Sequence, residues 1–165
     1  MKKLILIFIF IPNILFAGSM KAIGVKGNEQ NVDRVIKVLM YDNYYQPKSF
    51  RIKKNETIKF EVENKGELVH EFNIATKEMH LNHQSEMMMM VENEILLVDK
   101  IDKKKMMEMS KKNPVMAHSH SNSVLLSPGE KAELIWKFSN TADIEAACNV
   151  PGHYDVGMIA KIDNI

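Results

Sequence analysis

The amino-acid sequence predicts an all-β fold, a Greek-key β-sandwich of antiparallel strands with one helical insertion. Short segments in which apolar and polar residues alternate are separated by turn signals such as Asn64-Lys65-Gly66 and Ser127-Pro128-Gly129-Glu130. Seven or eight strands of this kind are typical of a sandwich. The stretch from about residue 76 to 113 differs, because it has few β-branched residues and many Met, Glu and Lys, which favour helix.

Each strand is predicted from its own pattern, taken in order along the chain. Thr57-Ile58-Lys59-Phe60-Glu61-Val62-Glu63 shows the period of two most clearly and predicts a strand with one buried face. Proline cannot continue a helix, so Pro114 is expected to end the helical stretch. The segments predicted as strands are 32–41, 50–52, 57–63, 67–74, 123–126, 132–138, 144–148 and 158–162.

The N-terminus has the pattern of a secretory signal peptide. Two lysines precede an apolar run over residues 4–11, and Leu15-Phe16-Ala17 is a suitable cleavage site. A membrane anchor is the alternative, but Pro12-Asn13 interrupts the apolar run before it is long enough to span a bilayer. We therefore expect a signal peptide over 1–17 cleaved near Ala17, a flexible leader over 18–31, and one domain over 32–165 with an insertion at about 76–117.

The net charge of the mature chain indicates which classes of binding partner are expected. Residues 1–17 contain two lysines and no acidic residue, so 20 of the 22 basic residues remain against 21 acidic ones. A balance so close to neutral does not favour nucleic acid or an anionic membrane surface as a partner. The expected product is a periplasmic protein, a monomer that does not insert into the membrane after cleavage.

Cys148 is the single cysteine of the chain, so an exported product cannot form an internal disulfide. It could be a buried thiol, a bridge to another chain or a metal ligand. His153 and Met158 follow at intervals of five residues, in a loop that is predicted to join two strands. His70, in a predicted strand, supplies a fourth group. Two imidazoles and a thiolate with a distant thioether are the ligands of a blue-copper site.

Three segments carry a family resemblance: ELVHEFNI (67–74), SPGEKAELIWKF (127–138) and CNVPGHYDVGM (148–158). They resemble cupredoxins of the plastocyanin/azurin superfamily, and especially the periplasmic copper-tolerance cupredoxins that have a Met/His-rich insertion. The resemblance implies one type 1 copper held by His70, Cys148, His153 and Met158. Many cupredoxins have Asn after the first histidine, whereas this chain has Glu71, so the surroundings of the thiolate are expected to differ.

The resemblance implies a copper-binding protein of copper tolerance, acting by binding copper. A soluble electron carrier with a redox partner and a copper chaperone with a copper-handling partner are the alternatives. No enzyme is expected, because Ala147 and Asn149 flank Cys148 where copper oxidases and copper nitrite reductases have histidines.

The insertion raises a second question, since nine of the 13 methionines fall between Met79 and Met116. Thioethers select Cu(I), so the insertion is a candidate for additional Cu(I). Methionine also fills gaps in protein cores, so packing explains the same residues equally well. The sequence leaves both explanations open for Met79, His83, Met87, Met90, Met106, Met109, Met116, His118 and His120.

Overall fold

A computed structural model describes residues 22–139 and 143–165, so the predicted signal peptide lies outside the described residues. Ten strands and two α-helices are found in this part of the chain, and 3-10 turns occur at Glu29–Asn31 and Pro114–Ala117. The strands are β1 (Gly24–Lys26), β2 (Arg34–Tyr41), β3 (Tyr44–Gln46), β4 (Ser49–Ile52), β5 (Thr57–Asn64), β6 (His70–Ala75), β7 (Ser123–Leu126), β8 (Lys131–Phe138), β9 (Glu145–Ala147) and β10 (Ile159–Asn164). The helices are α1 (Lys77–Glu92) and α2 (Lys103–Ser110).

The strands form two five-stranded sheets, with the orders β1-β8-β5-β2-β3 and β4-β10-β9-β6-β7. The predicted all-β sandwich with a helical insertion is thus confirmed. The prediction that it is wholly antiparallel is wrong, because β2 pairs with β5 and β4 with β10 in parallel. Parallel neighbours need a long connection between strands, which the alternation within a single strand does not reveal.

The core lies between the sheets and follows the alternation seen in the sequence. Ile58, Phe60 and Val62 of β5 are buried, while the charged residues between them face away. Phe60 and Phe72 pack with their ring centroids 5.2 Å apart, one from each sheet. Aromatic packing of this kind stabilises the contact between the two sheets and the position of β6.

Residues 24–26, expected in a flexible leader, instead form β1 and pair with β8. Ile23 just before them is buried, and the indole N–H of Trp136 donates to its carbonyl oxygen at 3.2 Å. A three-residue strand has too few residues to show alternation, which also explains why β3 was not predicted.

The insertion contains two helices rather than one. The hydroxyl of Thr76 accepts a hydrogen bond from the Met79 N–H and caps α1, and Asp102 caps α2 in the same way through the Lys105 N–H. Between them the chain folds back on itself through a bridge from Leu96 to Ile101. Buried side chains here form a second hydrophobic cluster: Val69, Met87, Met90, Ile95, Leu96, Ile101 and Met116.

Within the described residues, neither helix has the length and apolar character needed to cross a bilayer.

Candidate metal centre

The loop between β9 and β10 carries three of the four predicted ligands. Cys148 directly follows β9 and Met158 directly precedes β10, and these two strands pair antiparallel. The Cys148 N–H donates to the Met158 carbonyl at 3.2 Å, and the Met158 N–H donates to the His153 carbonyl at 3.0 Å. The strand pairing therefore closes the loop and brings the backbone of the three residues together.

His70 reaches the same place from β6, which pairs with β9. Its Nδ1 lies 3.2 Å from Nδ1 of His153 and 4.0 Å from Sγ of Cys148, and Sγ lies 3.4 Å from Nδ1 of His153. With metal bonds of about 2.0 Å to nitrogen and about 2.3 Å to sulfur, a trigonal plane has edges of about 3.5 Å and about 3.7 Å. The triangle of the three atoms has the size that one copper ion requires.

Met158, the fourth predicted ligand, lies inside the sandwich. Its side chain is fully buried and belongs to the same core cluster as Cys148. The thioether and the thiol of this cluster are soft donors of the kind that Cu(I) prefers. The donor types present therefore fit copper.

Asp42 supports His70 from outside the site and was missed by the sequence analysis. Its Oδ1 lies 2.9 Å from Nε2 of His70, which leaves Nδ1 of this histidine free to bind a metal. Partial burial opposes ionisation of Asp42, but hydrogen bonds with His70 and with the N–H groups of Glu67 and Leu68 lower its pKa. A Cβ at position 66 would lie 2.2 Å from Asp42 Oδ1 and 2.9 Å from His70 Nε2, so a side chain in place of Gly66 would displace this pair. No short motif in the sequence links Asp42 to His70, which is 28 residues away.

Burial controls the protonation of the three candidate ligands. It raises the pKa of the Cys148 thiol to about 12 and, together with the neighbouring His70, lowers the pKa of His153 to about 4. Burial also lowers the pKa of His70, against the opposing effect of Asp42. The imidazoles are therefore neutral at pH 7 and ready to bind, whereas the thiol must release a proton to a binding metal.

Glu71, which stands where many cupredoxins have Asn, lies directly behind the thiol. Its backbone N–H donates to Cys148 Sγ at 3.3 Å. Its buried carboxylate accepts hydrogen bonds at Oε2 from the side chain of Asn149 at 2.7 Å and at Oε1 from that of Asn73 at 3.1 Å. The backbone N–H of Glu71 thus donates to Cys148, while its carboxylate also accepts from the Asn149 N–H at 3.3 Å, and burial together with the Glu71 charge raises the pKa of the thiol.

A second group of possible ligands lies beyond the Glu71 carboxylate. His83, Glu86, His118 and His120 each offer an atom that lies within 4.8 Å of the others. Burial opposes protonation of His83 and His118, but the neighbouring carboxylates of Glu71 and Glu86 outweigh it and raise their pKa to about 10 and about 9. We call these four residues the histidine cluster.

Most methionines of the insertion pack in hydrophobic clusters, whereas Met88 and Met107 are exposed. Met87, Met90 and Met116 are buried in the second hydrophobic cluster, and Met106 and Met109 pack against it. Met79 packs against the core of the sandwich. The spacing of four, four and three residues between Met79, His83, Met87 and Met90 along α1 therefore reflects mainly a packing face, and His83 alone of these belongs to the histidine cluster.

Known proteins that resemble this chain are cupredoxin-like or copper-related by name. The family model of the cupredoxin-like domain matches residues 7–100. The copper-resistant cuproprotein CopI of Pseudomonas aeruginosa is 34% identical over 148 residues, covering 86% of this chain and 82% of that protein. CopI of Vibrio cholerae is 27% identical over 146 residues, covering 87% and 73%.

Among solved structures, auracyanin B aligns with a TM-score of 0.59 at 13% identity, covering 86% of this chain and 96% of that one. The reduced auracyanin of Roseiflexus castenholzii aligns with a TM-score of 0.55 at 15% identity, covering 81% and 98%. At this low sequence identity, the two structural alignments show a shared fold.

Proposed function

The chain belongs to the family of cupredoxin-like domains, and on this basis we propose that it is a copper-binding protein of copper resistance with one type 1 site. Relatives that align over most of their length carry the name copper-resistant cuproprotein. The proposed ligands are His70, Cys148, His153 and Met158. The observation that carries this assignment is the triangle of His70 Nδ1, His153 Nδ1 and Cys148 Sγ, with edges of 3.2, 3.4 and 4.0 Å.

Each ligand has a defined part in binding. Copper, when bound, changes between Cu(I) and Cu(II), and this mixed set of soft and imidazole donors accommodates both states. Asp42 orients His70, and the Glu71 N–H donates to the sulfur of Cys148. These contacts fix the direction of the His70 ring and place a donor on the sulfur.

Binding rather than catalysis is the activity that this site supports best. Cys148 and His70 are fully buried and His153 is half-buried, which leaves little room for a substrate at the metal. We propose that the protein acts in the periplasm, where it keeps copper away from other proteins. Copper is its proposed partner.

Electron transfer is the second candidate function, because one edge of the site is accessible. His153 is half-buried, and Val156 in the same loop is 66% exposed. An exposed apolar residue beside an accessible ligand is a contact that a docking redox protein can use. Growth separates the two candidates: a deletion strain with normal copper tolerance and impaired respiration would favour the electron carrier over copper resistance.

The visible spectrum of the Cu(II)-loaded protein tests the proposed site. We expect a strong sulfur-to-copper charge-transfer band that is lost completely in Cys148→Ala, because alanine removes the thiolate while leaving the backbone pairing of β9 and β10. Met20→Ala serves as a control, since this residue lies outside the predicted domain. Absence of the band from the wild-type protein, or its survival in Cys148→Ala, would refute the type 1 assignment.

A further inference from the structure

The histidine cluster has the arrangement of a second metal site, separate from Cys148. His83 and Glu86 lie one turn apart on α1, while His118 and His120 follow the 3-10 turn at Pro114–Ala117. The ring centroids are 5.1 Å apart for His83 and His118, 5.0 Å for His83 and His120, and 5.0 Å for His118 and His120. Three imidazoles at nearly equal separations enclose a common point, as three ligands of one ion do.

The nitrogen atoms of this cluster are oriented by two carboxylates. Glu86 lies 3.4 Å from His83 Nδ1, 3.1 Å from His118 Nδ1 and 2.8 Å from His120 Nε2. On the opposite side, Glu71 Oε1 lies 3.2 Å from His83 Nε2 and 3.1 Å from His118 Nε2. A carboxylate behind a histidine selects the tautomer and turns the other nitrogen toward a metal. The hydrogen bond to Glu71 therefore turns His83 Nδ1 to the side where Glu86 lies, and His118 Nδ1 is hydrogen-bonded to Glu86 itself.

The charge of the cluster also favours a cation. Glu71 is fully buried and the Glu86 side chain is only 14% exposed. In the part of the chain that the structure describes, their ion-pair partners are all histidines, with no lysine or arginine among them. Buried carboxylates require a compensating charge, which either a metal ion or protonated histidines must supply.

We propose that His83, Glu86, His118 and His120 bind a second metal ion, a divalent transition metal, with Glu71 as the residue that orients His83. Three nitrogens and one oxygen are borderline to hard donors that suit Cu(II) or Zn(II), and Cu(II) binds most tightly in the usual order of affinities. The thioether of Met116 is buried in the second hydrophobic cluster and is not needed. The site differs in this way from a Cu(I) site made of methionines.

The test uses the full mature chain with Cys148→Ala, so that the type 1 site is removed and failure of one assignment does not affect the other. Titration with Cu(II), followed by calorimetry and electron paramagnetic resonance, is expected to give one equivalent with a spectrum showing nitrogen ligands. Added Glu86→Gln replaces the anionic donor by a weaker neutral one, and added His120→Ala removes one nitrogen donor. Each should weaken Cu(II) binding at least about tenfold. Glu92→Gln makes the same change at an exposed position of α1 and should leave the affinity unchanged.

Circular dichroism establishes first that each variant is folded. The His120 side chain is 31% exposed, so His120→Ala supplies a folded variant even if Glu86→Gln is unstable. Failure of the Cys148→Ala protein to bind Cu(II), or equal affinity in a folded variant that lacks one of the donors, would overturn the proposal. The cluster would then be a network of protonated histidines that stabilises the insertion.

Discussion

The Cys148 site and the histidine cluster use different parts of the fold. The first is built on strands, since His70 opens β6 and the other three candidate ligands lie in the loop between β9 and β10. The second is built on the insertion, from α1 and the segment that follows the 3-10 turn. The strands supply sulfur and nitrogen donors, whereas the insertion supplies nitrogen and oxygen donors. One chain can thus present two environments that favour different states of the same metal.

Glu71 lies between the two regions and contacts each with a different part of the residue. Its backbone N–H contacts Cys148, while its side chain contacts His83 and His118. A residue at the start of a strand has a backbone fixed by sheet pairing, so its side chain is free to serve another purpose. Asp42 is its counterpart at the Cys148 site, because it orients His70. The following substitutions test this division, beginning with the largest expected effect.

Met90→Ala tests whether the methionines of the insertion pack or bind copper. Met90 is fully buried in the second hydrophobic cluster, so its truncation should lower the free energy of unfolding by about 2–5 kcal/mol. Copper stoichiometry should not change. Chemical denaturation and copper analysis measure the two quantities. Met88→Ala, at a position that is 46% exposed, should change stability by less than about 0.5 kcal/mol. Loss of a copper equivalent in folded Met90→Ala would mean that Met90 is a ligand.

Glu71→Gln should affect the histidine cluster and spare the Cys148 site. The amide cannot hold His83 as the carboxylate does, and the negative charge that faces His118 is lost. Cu(II) affinity of the cluster, measured in the Cys148→Ala background, should therefore fall about 10–100-fold. The charge-transfer band should persist when Glu71→Gln is made alone, because the backbone N–H remains. Glu61→Gln, at an exposed position of β5, is the control. Loss of the band together with cluster affinity would show that the two regions are not separable.

Asp42→Asn should have the converse effect. The amide holds Nε2 of His70 less firmly than the carboxylate, so copper affinity of the Cys148 site should fall about tenfold. Competition with a chelator, followed at the charge-transfer band, measures this change. Cu(II) binding by the histidine cluster should be unaltered. An unchanged affinity at the Cys148 site would show that Asp42 does not orient His70.

Thr76→Ala tests the junction between the sandwich and the insertion. It removes the cap of α1 and should cost about 1 kcal/mol of unfolding free energy. Ser85→Ala, at an exposed position within α1, should have a smaller effect. Equal effects in the two variants, measured by thermal unfolding, would mean that the cap contributes nothing specific.

Much of the fold could be predicted because burial follows local alternation. The pattern over Thr57–Glu63 corresponds to β5, and the turn signals lie between strands as expected. The parallel pairing of β2 with β5 was not predictable in this way, because it depends on connections between distant segments. The short strands β1 and β3 were missed because three residues carry no periodic signal.

The spacing of Cys148, His153 and Met158 is a property of one loop, so the sequence by itself determined that these groups stand near one another. It also determined the sandwich, since the alternating strands can bury their apolar residues only between two sheets. Only the tertiary structure decided which residues of the insertion meet. It placed Met87, Met90 and Met116 in a hydrophobic cluster and brought His83 to His118 and His120, more than 30 residues away. Helix spacing describes one face of α1, but packing against the sandwich decides what that face contacts.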